Sequence, residues 1–416
     1  MCDVTVNNKP TLLSINNYYY RRGGAEAVFF DHNLIFEGMG WDVIPFAMAH
    51  ENNYDSPWSD YFIDEIEYGS HYSLPRKIAS AGKIIYSTES RKKVSALVAK
   101  TRPSLAHAHN IYHHISPSIF SKLKGMGVPT VLTLHDLKLA CPAYKMLQKD
   151  SVCERCKNGN LLNVVIHRCI KSSFFLSSLI YLESILHKLL SSYSKCVDQF
   201  VVPSRFYIDK FVEWGWPREK FAYIPNFVNA DKLLPVYSGG EGFIYIGRLA
   251  PEKGLKTFIK AVAKAGVRGR IVGEGPESES LKQIALDCNA DIEFMGYRSG
   301  KALYDAIRSS RVVVVPSEWY ENAPISLLES YALGKPVLGA RIGGIPELIK
   351  EDETGWIFES GNVDDLAHWL DVIEKLSDTQ ISEMGKNARC WVESNFTVNN
   401  YRENTLKLYK KLGVDV

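Results

Sequence analysis

Short apolar runs alternate with helix-like stretches along both halves of this chain. In the first half the predicted strands cover residues 11–15, 41–46, 105–109, 130–135 and 199–203, and the alternation resumes at Phe243. Strands that alternate with helices predict βαβ units and therefore parallel sheets. A length of 416 residues is too great for one ordinary core, so we expect two α/β domains.

A linker-like segment separates the two halves. It runs from residue 225 to residue 241 and contains Pro235, Ser238, Gly239 and Gly240. Such residues interrupt helices and strands. We therefore predict one domain over residues 1–225 and a second over residues 241–395.

Two glutamates follow the strand-like run at residues 311–316. Glu321 lies in the loop after that run, and Glu329 lies on the helix predicted next. An acid at the carboxyl end of a parallel strand faces the crevice where open α/β sheets bind ligands. Carboxylates accept hydrogen bonds from paired hydroxyls, so two acids at this spacing suit a ligand with two polyol parts, such as a nucleotide sugar. Two solvated acids are the alternative.

Two cations lie in the loop that follows the apolar run at residues 243–247. Arg248 comes directly after this run, and Lys253 precedes a stretch with helical periodicity that begins at Gly254. Cationic side chains beside the free N–H groups of a helix N-terminus bind phosphate. The pattern therefore indicates a phosphate site. Two solvated loop cations are the alternative.

These segments resemble the retaining family 4 glycosyltransferases. Seven short motifs match in the same order over nearly the whole second half; they begin at Gly247, Val272, Phe294, Pro316, Glu321, Gly334 and Gly343. The resemblance implies the GT-B architecture, in which two doubly wound Rossmann-like domains face each other across a cleft. It also implies that a final helix within residues 396–416 packs back on the first, acceptor-side domain.

The resemblance assigns roles to the charged residues of the second half. Arg248 and Lys253 would hold the donor diphosphate, Glu329 would bind the ribose hydroxyls, and Glu321 would contact the transferred sugar. The rest of the implied donor site consists of Gly23 and Gly24 after the first strand, and Asn322, Ala323 and Ile325 between the two acids.

One loop departs from the family pattern. The usual Glu-Gly-Phe-Gly sequence reads Glu321-Asn-Ala-Pro324 here. Proline has no N–H, so one backbone contact to the donor sugar would be missing or replaced. In the first half, His135 follows a predicted strand where the resemblance implies contact with the donor sugar or the transferring oxygen. An ordinary structural histidine is the alternative.

Four of the eight cysteines fall in one region, at Cys141, Cys153, Cys156 and Cys169. A C-x-x-C pair with one cysteine on each side suits a tetrahedral zinc ion, and His167 could replace one thiolate. We predict a structural zinc site that takes no part in catalysis. Free thiols that only pack are the alternative.

Together these patterns predict a metal-independent retaining hexosyltransferase of surface polysaccharide biosynthesis. Its donor would be a nucleoside-diphosphate sugar, its acceptor a glycan or a lipid-linked acceptor, and its catalytic residues His135, Arg248, Lys253 and Glu321. No cofactor is expected for catalysis. The alternatives are a GT-B nucleotide-sugar epimerase and a non-catalytic, zinc-stabilised interaction module. A dinucleotide oxidoreductase is disfavoured because the chain lacks a Gly-x-Gly-x-x-Gly motif.

Composition and charge limit the partners and the location. A net charge of +2 argues against a nucleic-acid partner. The first residues do not form a basic-then-apolar signal peptide, so we expect a cytoplasmic protein with reduced thiols. After the cysteines, apolar residues recur at helical spacing, and we expect them to pack in the core. The alternative is a peripheral contact with the cytoplasmic membrane face near a lipid-linked acceptor. These residues are Phe175, Leu179, Leu182, Leu186 and Leu190.

Overall fold

A computed structural model describes residues 9–65, 82–149 and 151–415. Its first half is organised around a parallel sheet of six strands with the order β2-β1-β3-β4-β7-β8. A small antiparallel hairpin, β5 and β6, lies outside this sheet. In chain order, the strands are β1 (Thr11–Ile15), β2 (Asp42–Phe46), β3 (Leu105–Ala108), β4 (Thr130–Thr133), β5 (Leu147–Gln148), β6 (Ser151–Val152), β7 (Gln199–Val202) and β8 (Phe221–Tyr223).

The second half is organised around another parallel sheet of six strands. Its order is β11-β10-β9-β12-β13-β14, so strands that follow β9 in the chain lie on both of its sides. The strands are β9 (Phe243–Ile246), β10 (Gly269–Val272), β11 (Ile292–Gly296), β12 (Val312–Val315), β13 (Val337–Ala340) and β14 (Gly355–Phe358).

Helices connect the strands of both sheets. In the first half they are Gly24–Gly38, Thr88–Thr101, Ser118–Gly125, Asn163–Ile166, Phe174–Leu189 and Arg205–Glu213. In the second half they are Leu255–Ala265, Ser278–Asp287, Gly300–Arg308, Ile325–Ala332, Ile345–Leu348, Val363–Glu374, Asp378–Asn395 and Val398–Lys411. Single 3-10 turns lie at Ser59–Tyr61, Lys157–Gly159, Arg218–Lys220, Ala230–Lys232 and Pro251–Lys253.

The four valines of β12 show how the second sheet is buried. All four are buried, but successive side chains enter different apolar clusters: Val313 and Val315 join one, and Val312 and Val314 join the other. Successive side chains of a strand point to opposite faces. The sheet is therefore covered on both faces, as expected for a doubly wound domain. The prediction of an α/β chain with two such domains is confirmed.

The last helix, Val398–Lys411, packs against the first sheet although it follows the second one in the chain. Its Tyr401, Leu408 and Tyr409 are buried in a cluster that includes Leu12 of β1 and Leu105 of β3. This packing closes the chain back on the domain in which it began.

The helix after the cysteines packs differently from the sequence prediction. Of the five apolar residues expected in its core-facing stripe, only Leu179 is fully buried, whereas Phe175, Leu182 and Leu190 are exposed. The expectation of core packing is therefore wrong for most of this stripe. No helix in the described part of the chain is both long and apolar enough to cross a membrane.

Candidate functional site

The strand order of the second sheet creates a crevice between β9 and β12. The chain leaves β9 for β10 on one side of the pair and leaves β12 for β13 on the other side. Open α/β sheets bind ligands at such a switch point. The loop after β9 carries Arg248 and Lys253, and the loop after β12 carries Glu321. Tertiary structure therefore brings Lys253 into contact with Glu321, which lies 68 residues later in the sequence.

The buried carboxylate of Glu321 forms an ion pair with the partly buried Lys253. The Lys253 ammonium donates to Glu321 Oε1 at 2.6 Å, and the Ser317 hydroxyl donates to the same oxygen at 2.7 Å. Burial raises the pKa of Glu321, but the charge of Lys253 and these hydrogen bonds outweigh burial, so its net pKa lies below the usual value. Glu321 is therefore an ionised carboxylate with only 7% of its surface exposed.

Two glycines hold the backbone of the Glu321 loop. A Cβ atom on Gly343 would lie 2.4 Å from the Glu321 carbonyl oxygen, and one on Gly344 would lie 2.0 Å from the Asn322 carbonyl oxygen. The Gly344 N–H also donates to the Glu321 carbonyl at 2.9 Å. Only glycine permits this close approach, which gives a physical reason for the Gly-Gly motif recognised in the sequence.

Arg248 is exposed, in contrast to Lys253. Its side chain makes no hydrogen bond or ion pair with any residue in the described ranges, and it lies within electrostatic range of Tyr144 from the first domain. The Arg248 backbone is held by the Tyr245 hydroxyl, which donates to its carbonyl at 2.9 Å. The guanidinium is thus anchored at its base and open to an anionic ligand.

Glu329 lies on the helix Ile325–Ala332 and faces the first domain. Its carboxyl group makes no hydrogen bond within the described part of the chain. Burial, and to a smaller extent the negative charge of Asp31, raises the pKa of Glu329 to about 7. Asp31 belongs to the helix Gly24–Gly38 and pairs with Arg21 at 2.5 Å. Because its oxygens are not used by the described residues, the ionised form of Glu329 is suited to accept hydrogen bonds from the hydroxyl groups of a ligand.

The helices that begin at Gly24 and Ile325 meet at their N-terminal ends. A Cβ atom on Gly24 would lie 3.7 Å from Cδ1 of Ile325. Gly23 is the N-cap of its helix, with an extended φ of −162°, and no side chain caps this end. The predicted donor residues Gly23, Gly24 and Ile325 therefore lie together at the cleft, beside a helix end that favours anions.

Asn322 links the two domains. Its Nδ2 donates to the Leu134 carbonyl at 2.9 Å, and its Oδ1 accepts from the Ser204 hydroxyl at 2.9 Å. The next residue, Ala323, is buried, and its carbonyl accepts from Asn226 at 2.8 Å. Because both polar atoms of the Asn322 side chain are engaged, a donor contact from this residue would come from its backbone.

His135 lies directly after the strand-end residue Leu134 and is hydrogen-bonded to a second histidine. Its Nε2 is 3.0 Å from Nδ1 of His109, and the two rings stack with centroids 5.3 Å apart. Burial lowers the pKa of His135 to about 4, so the imidazole is neutral near pH 7. The buried Nε2 of His109 has no hydrogen-bond partner among the residues that the structure describes. Because an unpaired buried donor is rarer than an unpaired acceptor, we place the shared proton on Nδ1 of His109.

Three histidines that the sequence analysis did not single out form a buried cluster. The cluster consists of His32, His107 and His109, and one nitrogen from each ring lies within 4.8 Å of the other two. No other group of three His, Cys, Asp or Glu residues in the described ranges comes this close together. Tyr401 and Tyr409 hydroxyls bond to His32, and Tyr409 and Thr133 hydroxyls bond to His107. The ring nitrogens of His32 and His107 are thus used in a hydrogen-bond network, whereas His109 joins it only through Nδ1, which bonds to His135. The sequence contained one indication of this cluster: His107 and His109 lie two residues apart at the end of a predicted strand, where both side chains point to the same face.

The four cysteines predicted to bind zinc gather around the small hairpin. Each of Cys141, Cys156 and Cys169 lies within electrostatic range of at least one other member, and Cys153 interacts with all three. No three of the sulfur atoms lie within 4.8 Å of one another. The residues suit zinc chemically, and a bound ion would have to draw the loop closer around itself.

Two family models match consecutive parts of the chain. Residues 22–232 match Glycosyltransferase Family 4, and residues 231–391 match Glycosyl transferases group 1. The first match alone covers half of the chain. The junction between the two matches falls in the segment that connects the two sheets.

Curated relatives agree with the family models. An uncharacterized 42.6 kDa protein from the cps region of Klebsiella pneumoniae is 28% identical over 81% of this chain and 87% of its own length. The Escherichia coli UDP-Gal:alpha-D-GlcNAc-diphosphoundecaprenol alpha-1,3-galactosyltransferase is 23% identical over 82% of this chain and 83% of its own length. Several other relatives match over only 35% to 52% of their own length.

A solved structure confirms the arrangement of the two domains. Anabaena HepE in complex with UDP superimposes with a TM-score of 0.67 and 16% identity, and the match covers 97% of this chain and 100% of that one. At this identity the likeness shows the fold, which is the predicted GT-B architecture. Family models, relatives and fold lead to one conclusion: the chain belongs to the family 4 glycosyltransferases.

Proposed function

We propose that this glycosyltransferase moves a hexose from a nucleoside-diphosphate sugar to a glycan or lipid-linked glycan, with retention of the anomeric configuration, in surface polysaccharide biosynthesis. The observation that carries the proposal is the partly buried Lys253–Glu321 pair, with the open guanidinium of Arg248 in the same loop as Lys253, at the β9–β12 crevice. The Escherichia coli relative is named as a transferase from UDP-galactose to a lipid diphosphate acceptor, and HepE binds UDP. Both support this donor class.

The proposed donor lies along the crevice with its nucleotide toward Glu329. The Glu329 carboxylate accepts the ribose hydroxyls, Arg248 and Lys253 neutralise the diphosphate, and Glu321 orients the hexose. Fixed cations aimed at the leaving diphosphate stabilise the charge that develops in the transition state. Because side chains supply these charges, we infer that catalysis needs no divalent cation, and brief treatment with EDTA should leave activity intact.

Front-face attack by the acceptor hydroxyl is the proposed route to retention. A covalent route needs a nucleophilic carboxylate, and Glu321 is the acid that we assign to the sugar position. One of its oxygens already accepts from both Lys253 and Ser317, which reduces its nucleophilicity. We therefore assign Glu321 to sugar binding and to stabilising positive charge near the anomeric carbon. The neutral His135 contributes a hydrogen bond on the same side.

A thermal-shift panel of nucleoside diphosphates and their sugars tests the donor class, because a ligand that binds only the folded state raises the unfolding midpoint. We expect one diphosphate series to stabilise the wild type and to fail with Arg248→Ala. The anomeric configuration of the product, read by NMR, then tests retention. Release of epimerised sugar without any acceptor would instead support the epimerase.

Glu321→Gln and Glu329→Gln separate the two acids by position. With the bare nucleoside diphosphate as ligand, we expect Glu329→Gln to weaken binding and Glu321→Gln to change it little. With the full donor and acceptor, Glu321→Gln should slow transfer. A larger loss of diphosphate affinity in Glu321→Gln would reverse the two assignments.

We also propose that Cys141, Cys153, Cys156 and Cys169 bind one structural zinc ion. The loop that carries them has few buried apolar side chains of its own, and its regular structure is a hairpin with two residues in each strand. Metal binding can replace a hydrophobic core in such a small unit. With four thiolate ligands the ion has no open position and takes no part in the chemistry.

A further inference from the structure

The helix Phe174–Leu189 exposes large apolar side chains while it buries polar ones beside Leu179 and Ile180. Its buried face includes three polar side chains that are at most 1% exposed, namely Ser177, Glu183 and His187. Its opposite face carries three large apolar side chains, Phe175, Leu182 and Leu189, which are 62%, 53% and 76% exposed. A surface helix normally buries its apolar stripe, so this stripe lacks the partner that such a stripe requires.

Hydrogen bonds fix the helix in this orientation. Glu183 accepts from the buried ammonium of Lys138 at 2.7 Å. His187 lies 2.9 Å from the Ile85 carbonyl and 2.9 Å from the Ser192 hydroxyl. Rolling the helix to bury its apolar stripe would break these contacts and leave a buried charge unpaired, which is strongly unfavourable. The exposed stripe is therefore a stable feature of this domain.

The apolar residues form one continuous surface. Phe175, Leu182 and Leu189 are seven residues apart, so they lie on one line along about 21 Å of helix. The short helix Asn163–Ile166 packs beside this helix. Of the fourteen exposed large hydrophobic side chains in the described ranges, seven lie between residues 162 and 190, and they are Leu162, Ile166, Phe174, Phe175, Leu182, Leu189 and Leu190.

Positive charge is frequent in the segment that carries the apolar residues. Residues 157–197 contain five Lys or Arg and one acid, Glu183, which is buried against Lys138. Four of the five cations are exposed and form no ion pair with the described residues; these are Arg168, Lys171, Lys188 and Lys195. An apolar stripe beside unpaired cations matches a surface with negative headgroups over a hydrocarbon layer.

We propose that this basic–apolar surface, formed by the seven apolar and four cationic residues named above, docks the protein on an anionic lipid bilayer. The helix Phe174–Leu189 would lie in the plane of the interface with its apolar stripe among the acyl chains. A second copy of the chain is a poorer occupant, because a symmetric interface places the same patch on both sides and would bring cations against cations.

Lys138 links the helix that carries the docking surface to the loop that contains His135. Lys138, which holds Glu183, belongs to the loop that begins at His135, and its backbone N–H donates to the Asp136 carboxylate at 2.9 Å. The surface therefore lies on the acceptor-side domain. If the proposed function holds, docking presents the cleft to an acceptor carried by a lipid. Docking itself rests on the surface alone.

Sedimentation with vesicles tests the proposal without donor or acceptor. The full chain is mixed with vesicles of phosphatidylcholine alone or of phosphatidylcholine with phosphatidylglycerol. We expect binding to the anionic vesicles that weakens with added salt. Combining Phe175→Ser, Leu182→Ser and Leu189→Ser should lower the partition coefficient by about tenfold or more. The matched control is Leu286→Ser, because Leu286 is 74% exposed on the second domain.

Three results would overturn the proposal: failure of the wild type to bind either kind of vesicle, equal binding by the triple variant, and a wild-type dimer in solution that the triple variant abolishes. The unfolding midpoint of the triple variant serves as a folding check, and exposed positions should leave it unchanged. Stabilisation by nucleotide is measured on the same variants. If the triple variant loses vesicle binding but still binds nucleotide, its donor site is intact. The two measurements therefore test docking and the proposed function separately.

Discussion

Lys253 and Arg248 carry the same charge in the same loop but have different surroundings. Lys253 is paired with the buried Glu321, whereas Arg248 is exposed. We predict that Arg248→Ala and Lys253→Ala each lower the rate of transfer by roughly a hundredfold, or about 3 kcal/mol, because each removes a cation from the leaving diphosphate. Steady-state kinetics with the identified donor measures this loss.

Stability should distinguish the two variants. Lys253→Ala leaves an ionised carboxylate buried without its partner, so we expect a lower unfolding midpoint and a raised pKa for Glu321. Arg248→Ala should unfold like the wild type. Near-normal turnover in both variants would contradict the diphosphate assignment, and equal loss of stability would contradict the difference in surroundings.

Glu329 predicts a pH dependence of nucleotide binding. Its pKa near 7 means that it is mostly protonated at pH 6 and mostly ionised at pH 8. The carboxylate accepts two hydroxyl hydrogen bonds, so we predict that nucleoside diphosphate affinity rises over this interval. Asp31→Asn removes a neighbouring negative charge and should shift the rise to lower pH.

Calorimetric titration at several pH values measures this effect, with Glu329→Gln as the control. The nucleotide has its own phosphate ionisation, which wild type and variant share, so only the difference between their pH profiles belongs to Glu329. Parallel profiles would show that another group is responsible.

At the scale of elements, the end of β10 is pressed against the end of β9. A Cβ atom on Gly273, where φ is +137°, would lie 1.9 Å from the Gly247 carbonyl oxygen, next to Arg248. We predict that Gly273→Ala displaces this loop, weakens nucleotide binding and lowers the free energy of unfolding. Titration with nucleotide and denaturant unfolding measure the two effects.

Gly266 provides the matched control, because its φ is also positive, at +67°, but nothing lies within 4 Å of its Cβ position. Gly266→Ala should cost roughly 1–2 kcal/mol from backbone strain alone, and it should leave nucleotide binding unchanged. If Gly273→Ala lowers the free energy of unfolding no more than Gly266→Ala does, the close approach to Gly247 would be shown to relax without an energetic penalty.

The cysteine loop gives a second prediction for an element. Elemental analysis of protein purified without chelator should find about one zinc ion per chain, and Cys153→Ser should lower this content. Cys390→Ser is the control, because Cys390 is exposed on a distant helix. Metal-free protein that is folded, active and freely titrated by thiol reagents would show that the four cysteines only pack.

At the scale of the whole molecule, two tyrosines fasten the end of the chain to the first domain. The Tyr409 hydroxyl lies 2.6 Å from His107 Nδ1 and 3.1 Å from His32 Nε2, and all three residues are buried. We predict that Tyr409→Phe lowers the free energy of unfolding by about 1–3 kcal/mol, because it leaves buried imidazole nitrogens without partners. Denaturant unfolding measures this change.

Tyr297→Phe should have no effect, since Tyr297 is 70% exposed. Nucleotide binding to Tyr409→Phe should remain close to that of the wild type, because Tyr409 lies outside the donor crevice. Unchanged stability would mean that packing alone holds the last helix.

Local patterns predicted much of the site because its residues follow strand ends. Arg248, Glu321 and His135 each come directly after an apolar run or within its following loop, and parallel strands bring such loops to one edge. The histidine network was not predicted, because His32, His107 and Tyr409 are up to 377 residues apart. Nothing in their local sequences indicates that they pair.

The sequence by itself determined the two α/β domains, the family and the order of the charged loops, because strand periodicity and short motifs are local properties of the chain. Only the tertiary structure decided which charges pair and which stay open. Lys253 pairs with Glu321 while Arg248 stays open, and the helix Phe174–Leu189 buries Ser177, Glu183 and His187 while it exposes Phe175, Leu182 and Leu189. The physical reason is that a pairing depends on which partners the fold brings within a few ångströms. A buried Glu183–Lys138 bond outweighs the apolar pattern that would otherwise orient that helix.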